Sequence, residues 1–430
     1  MQTYTIRTKD LGSYDVVVLG GGIAGVFAAV TAAKEGMRVL LCEAMGCLGG
    51  TMTSGLVTQV LDRDNKGGLI RQMYDDLNAR EMTCPRYGAR IGQDGKKLPG
   101  AMIDIEGTKV WLEKLCQESG VRLMFYARVA DVQVEEQKIT GVLIASETGN
   151  YHVQGKIFID ATGCGALAAL AGLRWEIGQP ETGYIQPASM GSQVIGMPWE
   201  FNDIGNEAEK TAYGNMLREN GLEVSGGQAG AIRLPSIGTW LYNVNLEYNV
   251  HPEDPFALTD ATVHGRRECV DASRIQATFP GYKDLWMVSG SEHLGIREGR
   301  RVFGRYRLTV DDILTGAKFE DAVCTVRFAV DIHRLHPKDT YDLARGYKTK
   351  PYHLPYRCML PESIDNLLLA GKLISGDFYA HASYRVLGNM GATGEAAGWA
   401  AAQAIRAGIS PTQVDGKTVC AFMMARGYEI

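Results

Sequence analysis

What this 430-residue chain lacks narrows its class first. Its 44 Lys and Arg are outnumbered by 49 Asp and Glu, for a formal net charge of −5. Nucleic acid is therefore not expected as the main partner, because a phosphate-binding surface needs a basic excess. No apolar run reaches the ~18 uninterrupted residues of a membrane span. Met1 to Ser13 carries Arg7 and Lys9 but no apolar core of the kind a secretory leader has. Cys-x-x-Cys is missing, and the nine cysteines (Cys42, Cys47, Cys84, Cys116, Cys164, Cys269, Cys324, Cys358 and Cys420) are odd in number. Reduced thiols in a cytoplasmic protein fit that usage better than a disulfide framework. Gly-x-Ser-x-Gly and P-loop patterns are absent, so hydrolysis by a serine elbow and P-loop phosphoryl transfer have no support. There are no internal repeats and no low-complexity tracts.

What is present reads as α/β. With 45% hydrophobic residues, a chain of this length suits two intertwined domains. Tyr14 to Leu19 (YDVVVL) is a β-branched apolar run of strand length, as expected of a strand buried on both faces. GGGIAG follows at Gly20–Gly25, then an Ala-rich helix to Glu35, a stop at Gly36, and a second strand, Arg38 to Cys42, ending at Glu43. Helices are expected over Gly68–Arg80 and Thr108–Glu118. Four strand-like runs between Val121 and Ile159, without intervening helices, predict an antiparallel meander packed on the parallel sheet. From Gly172 to about Tyr347 no second βαβ unit is visible. Asn366 to Ala370 restores a buried strand, and Gly391 to Ala407 a small-residue helix.

The glycine turn has a physical reading. Gly20 permits the tight turn, Gly22 lets backbone approach a pyrophosphate, and Gly25 lets helix pack close on strand. The helix N-terminus, at Ile23 and Ala24, offers N–H groups and partial positive charge to phosphate. Glu43, 18 residues after Gly25, is placed to accept hydrogen bonds from a ribose diol. A lone Gly-x-Gly-x-x-Gly is weak; set between a strand and a helix, with an acid ending the next strand, it is specific for a dinucleotide. It does not separate FAD from NAD.

A resemblance separates them. LGGTMTSG (Leu48–Gly55), IDATGCG (Ile159–Gly165) and NLLLAGKLIS (Asn366–Ser375) recur in order, with the segments Asp104–Val121, Arg297–Leu314 and His381–Gly398. Together they resemble a bacterial FAD-dependent oxidoreductase family of the glutathione-reductase structural class, distantly akin to fumarate reductase flavoproteins. The resemblance implies FAD as cofactor, held in a Rossmann-like domain from both chain ends, residues 1–175 and 345–430. A mixed α+β substrate or cap domain then spans 176–344. It also implies cofactor contacts from Ala44, Cys47, Gly49, Gly50 and Thr51 of the glycine-rich loop. Arg128 and Val129 would lie along the adenine, Ala161, Thr162 and Gly163 beside the dinucleotide, and Gly371 by the pyrophosphate. Backbone N–H groups at Gly388, Asn389 and Met390 would face the pyrimidine edge of the flavin, although the family's usual proline there is replaced by Leu387-Gly388. An extended FAD needs such returning backbone, which a domain for NAD alone does not.

Four residues are the catalytic candidates. His381 and Arg385 lie four apart before the last long helix: histidine suits the proton removal that accompanies hydride loss, and Arg385 suits substrate or anionic flavin. A packing role for His381 is the ordinary alternative. Arg297 and Arg301, in an arginine-rich run, read either as a salt-bridged face with Glu298 or as readers of a planar oxyanion. Cys42 and Cys47 have disulfide-reductase spacing but not its position in the loop, so structural thiols are the simpler reading. His333 and His336 near Asp331 are too sparse for a metal site, and no metal is expected. The function expected is FAD-dependent hydride transfer with a small polar metabolite, anionic or neutral. Reduction of an activated C=C bond and an electron-carrier subunit stand as alternatives. A homo-oligomer or a redox partner protein stays open.

Overall fold

A computed structural model describes residues 5–86, 99–198, 204, 206–222, 224–236, 238–338 and 347–430. The expected domain boundary at 344/345 lies outside them. The apolar run at Tyr14 ends strand β1 (Lys9–Leu19), whose last four residues are buried. Helix α1 (Ile23–Lys34) and strand β2 (Val39–Cys42) complete the expected unit, β1 and β2 pairing in parallel from Val16↔Val39 to Leu19↔Cys42.

The main sheet has seven strands. Arg122–Met124 flanks β2, and β1 is followed by the long strand Gly149–Asp160. On one side that strand pairs with β1 along its length. On the other it pairs first with Lys138–Ser146 and then, through Phe158 to Asp160, with Leu367–Leu369. The meander is therefore not a layer packed on the parallel sheet, as the sequence predicted. Its third strand is a strand of that sheet, because twelve residues are long enough to serve both.

The chain ends meet through small residues. Helix Leu387–Ala407 crosses α1 where a Cβ at Gly394 or Gly398 would overlap the carbonyl of Ala24 or Ala28. Only glycine lets the two helices approach that closely. Most residues of α1 are thus buried between sheet and helix.

A second lobe carries a four-stranded antiparallel sheet, in the order Gly230–Arg233, Thr239–Asn243, Ser192–Ile195, Trp286–Gly290. Helices Glu207–Glu219 and Pro255–Ala277 accompany it, the latter capped by Asp254, which accepts the N–H of Phe256 at 2.8 Å. Tyr242, Met190, Leu217 and Cys269 form its separate core, whereas Val302 through Leu335 contribute to the first core. No helix among the described residues is long and apolar enough to cross a membrane.

Candidate cofactor and substrate site

The glycine turn is built as its spacing requires. Gly20 has φ +102°, and a Cβ there would overlap the carbonyl of Ala161; a Cβ at Gly25 would overlap the carbonyl of Gly20. Gly22, the N-cap of α1, has nothing within 4 Å of the point its Cβ would take, and the first turn of α1 holds no acidic side chain. The early N–H groups of a helix have no intrahelical acceptor, so Ile23, Ala24 and Gly25 offer donors and partial positive charge beside open space.

The loop after β2 docks on this turn. Gly22 and Gly49 form a parallel bridge, the Gly49 N–H donates to the Gly21 carbonyl at 2.8 Å, and a Cβ at Gly50 would stand 3.2 Å from the Gly22 Cα. Glu43 is buried. Its carboxylate accepts the N–H of Gly21 at 2.6 Å and of Met45 at 2.8 Å, yet burial outweighs these bonds and raises its pKa. Ala127 donates to the Glu43 carbonyl at 2.9 Å, which brings Arg128 and Val129 close to the residue that ends the first unit.

From the other strands, Asp160 organises the Ala161–Gly163 bend. It accepts the N–H and hydroxyl of Thr162 at 3.0 and 2.7 Å and the Ala168 N–H at 2.9 Å. The Thr162 hydroxyl is thereby committed to the protein. Gly371, with φ +94°, would place a Cβ 3.4 Å from that of Ala24, so the returning chain passes the first turn of α1.

Two expectations are corrected. The last long helix begins at Leu387, four residues early, which puts Gly388, Asn389 and Met390 inside its first turn. The Gly388 N–H donates to Leu61, those of Asn389 and Met390 to Val386, and Asn389 is 0% exposed. These three amides are thus not free donors for a flavin edge. His381 and Arg301, in turn, are fully buried (0% and 1% exposed). Arg301 is spent on Glu298, Glu176 and the Gly178 carbonyl. His381 packs edge-on to Tyr384, and neither ring nitrogen meets hydrogen-bond geometry with another group. Burial first, then Arg301, Arg385 and Lys372, outweigh a favourable contact with the Lys372 backbone and keep the ring neutral. Neither residue has surface to present to a substrate.

The other two candidates do converge. Arg385 donates from Nη2 to the Asp331 carboxylate at 2.9 Å, and Arg297 from Nη1 to the Pro187 carbonyl at 2.7 Å. Burial, then the neighbouring Arg385, bring Arg297 down to about 10. His333 Nε2 stands 3.8 Å from Asp331, and their side chains stay 36% and 41% accessible. Burial and Arg297 hold His333 well below its ordinary value. Burial would raise Asp331, but the cations around it, Arg385, Arg297 and Lys210 among them, keep it ionised. Nearby, the segment from Ser291 to Arg300 lies across the carboxyl ends of the strands. His293 bonds Ser54 at 3.0 Å, Lys372 donates to the Ile296 carbonyl, and Arg300 donates to that of Cys164 at 2.9 Å.

The sequence pattern of the family described as FAD dependent oxidoreductase matches residues 15–423. The chain belongs to that family. Digeranylgeranylglycerophospholipid reductase 1 of Methanococcoides burtonii is 30% identical over 160 residues, 35% of this chain and 38% of that protein. Digeranylgeranylglycerophospholipid reductase 2 of Methanothermobacter thermautotrophicus is 27% identical over 194 residues, 42% and 46%. The chain thus spans less than half the length of these relatives. Among solved structures, the flavin-dependent brominase Bmp2 superposes with a TM-score of 0.50 at 15% identity, over 96% of this chain and 83% of that one. The p-nitrophenol 4-monooxygenase PnpA from Pseudomonas putida gives 0.50 at 11%, over 97% and 87%. These likenesses are of fold.

The donor set of this FAD-dependent oxidoreductase fits its cofactor, since the open side of Gly22 faces unpaired helix donors suited to a pyrophosphate. All nine cysteines are free, and burial pushes Cys42 up to about 12 and raises Cys47, so neither is poised as a thiolate. The sequence reading missed Asp160, Lys210, Lys372 and the pairing of Asp331 with Arg385. Only Asp160, ending an apolar strand before Thr-Gly, carried a local signal.

Proposed function

We propose that this oxidoreductase exchanges hydride between bound FAD and a small metabolite carrying a carboxylate or similar planar anion. The observation that carries this reading is that Arg297 and Arg385, from distant segments, come close to one another beside Asp331. Two guanidinium groups and Lys210 together act on the carboxylate of Asp331. Asp331 aims Arg385 and the Pro187 carbonyl aims Arg297, and each fork keeps further N–H groups for oxygen acceptors.

The cofactor would be held by the first-turn N–H groups of α1, with Glu43 at the ribose and the backbone of Gly163 and Gly371 alongside. FAD, when bound, supplies two-electron exchange at carbon. Hydride leaves a C–H only as a neighbouring O–H or N–H loses its proton. The ionised Asp331 and the neutral ring of His333 would take that proton, the role expected of His381 from the sequence alone. The segment Ser291–Arg300 shields this region, which favours a substrate pocket over docking of an electron-transfer partner.

A second reading runs the exchange toward reduction of a C=C bond conjugated to the anion. It is favoured by the relatives named as reductases. In that direction the arginines draw electron density from the conjugated group, and His333 would first have to take up a proton from solvent before passing it to the substrate. Anaerobic mixing of flavin-loaded protein with 2-hydroxy acids and amino acids, and of its reduced form with enoates, separates the two. Bleaching by the former or reoxidation by the latter, lost in Arg385→Ala, is the expected result. An Arg385→Ala protein that reacts like the parent would overturn the proposal.

A further inference from the structure

We propose that a cleft on the second lobe binds a phosphate-bearing small molecule, at a site separate from the Arg297–Arg385 pair. The cleft encloses about 860 Å³, within the ~300–1,000 Å³ usual for small-molecule sites. Four arginines line it, from three separate segments. Arg218 lies at the end of helix Glu207–Glu219, Arg267 and Arg274 on one face of helix Pro255–Ala277, and Arg334 directly after His333. Arg267 and Arg274 are two turns apart, roughly 10 Å along the helix axis. Across from them, Nη1 of Arg334 and of Arg218 stand 3.6 and 4.0 Å from the point where a Gly227 Cβ would lie.

None of the four arginines is ion-paired to a carboxylate among the described residues; Arg218 donates to the Asn215 side chain. The carboxylates on the same walls are otherwise engaged. Glu268 accepts the N–H and hydroxyl of Ser225 at 2.6 and 2.7 Å and the Asn245 amide at 2.6 Å. Glu247 accepts from Asn245 at 2.6 Å and from His264 at 2.7 Å, and that bond raises the pKa of His264 and favours its cation. Three carboxylates, Glu247, Glu268 and Asp271, thus face four guanidinium groups and the His264 cation, which leaves the lining with an excess of positive charge. Cations in excess of their counter-charges repel one another, and an incoming anion lowers that cost.

Phosphate suits this arrangement better than a lone carboxylate. It carries up to two negative charges on three acceptor oxygens, enough to engage several guanidinium forks. The volume leaves room for more than one phosphoryl group. Tyr248 lines the cleft and also acts electrostatically on Arg297, and Arg334 adjoins His333 in sequence, so the cleft neighbours the Arg297–Arg385 region. The occupant is then a phosphorylated portion of the substrate or a phosphorylated nucleotide that serves the flavin as electron donor.

Calorimetric titration of the full-length, flavin-loaded protein with inorganic pyrophosphate tests the site directly. Saturable binding is expected, weakened roughly tenfold or more in Arg218→Ala and in Arg334→Ala and unchanged in Arg385→Ala. Thermal unfolding of the two cleft variants should match the parent. Adenosine diphosphate and a reduced nicotinamide dinucleotide phosphate form further arms: tighter binding than pyrophosphate marks a nucleotide, equal binding a phosphate group alone. No saturable binding to the parent protein, affinity indifferent to both cleft substitutions, or binding lost in Arg385→Ala would each overturn the proposal. Its fate is independent of the hydride-exchange reading, because pyrophosphate binding is measured without turnover.

Discussion

The carboxylate of Glu43 receives the backbone N–H of Gly21 at 2.6 Å, so the acid that follows β2 fastens the glycine turn. Its second oxygen holds Met45 at 2.8 Å. One side chain thereby joins the turn to the loop that docks on it.

Replacing Glu43 by Ala should loosen the turn and remove a ribose acceptor together. Hydrogen bonds to a charged group contribute about 1.5–3 kcal/mol, so FAD affinity should fall by roughly tenfold to a hundredfold. Quenching of flavin fluorescence on adding apoprotein reads this out. Unaltered affinity would remove Glu43 from the site.

Gly394 tests whether the C-terminal helix is needed for the N-terminal cofactor fold. A valine there would meet the Ala24 carbonyl. Overpacking costs typically ~1–3 kcal/mol, and the displaced element carries the phosphate-facing turn. Gly394→Val should lower both the unfolding free energy and FAD retention, measured by denaturant titration and by absorbance after gel filtration.

His381 should now behave as a packing residue. Its pKa is held well below 6.5 in the fold, so the unfolded chain binds the extra proton, and stability falls as pH drops below about 6.5. His293, held down to about 4 by burial and then Lys372, contributes likewise between about 6.5 and 4. Relative to the parent, His381→Phe should gain up to ~1.4 kcal/mol per pH unit below pH 6.5. Equilibrium unfolding at several pH values gives that difference. Rapid-mixing kinetics should show flavin reduction by substrate preserved.

Arg385→Lys keeps a charge but loses the planar fork that Asp331 orients. We expect kcat/KM to fall roughly tenfold, most of it in KM, with a larger loss in Arg385→Ala. Steady-state kinetics on whichever anionic substrate bleaches the flavin provides the measurement.

The first βαβ unit was legible because its signals are local. YDVVVL has strand composition, the glycines occupy positions where a Cβ would overlap Ala161 or Gly20, and Glu43 follows at the right distance. The start of the last helix was misjudged because Leu387 to Met390 has no capping side chain to announce it, and the bond from Gly388 to Leu61 is long-range. His381 and Arg385, four apart, looked alike in sequence. Burial separates them: the ring turns into the core beside Tyr384, while the guanidinium reaches Asp331. The cationic space itself draws on Lys210, Arg297, Asp331 and Arg385, whose meeting depends on how the two lobes fold together and on no pattern along the chain.

A crystal structure of the FAD complex tests the central claim most directly. The account predicts pyrophosphate oxygens hydrogen-bonded to the N–H groups that open α1 at Ile23 to Gly25, with Gly371 alongside and the ring directed toward Arg297 and Arg385. FAD seated in another cavity, or its pyrophosphate beyond reach of α1, would contradict it.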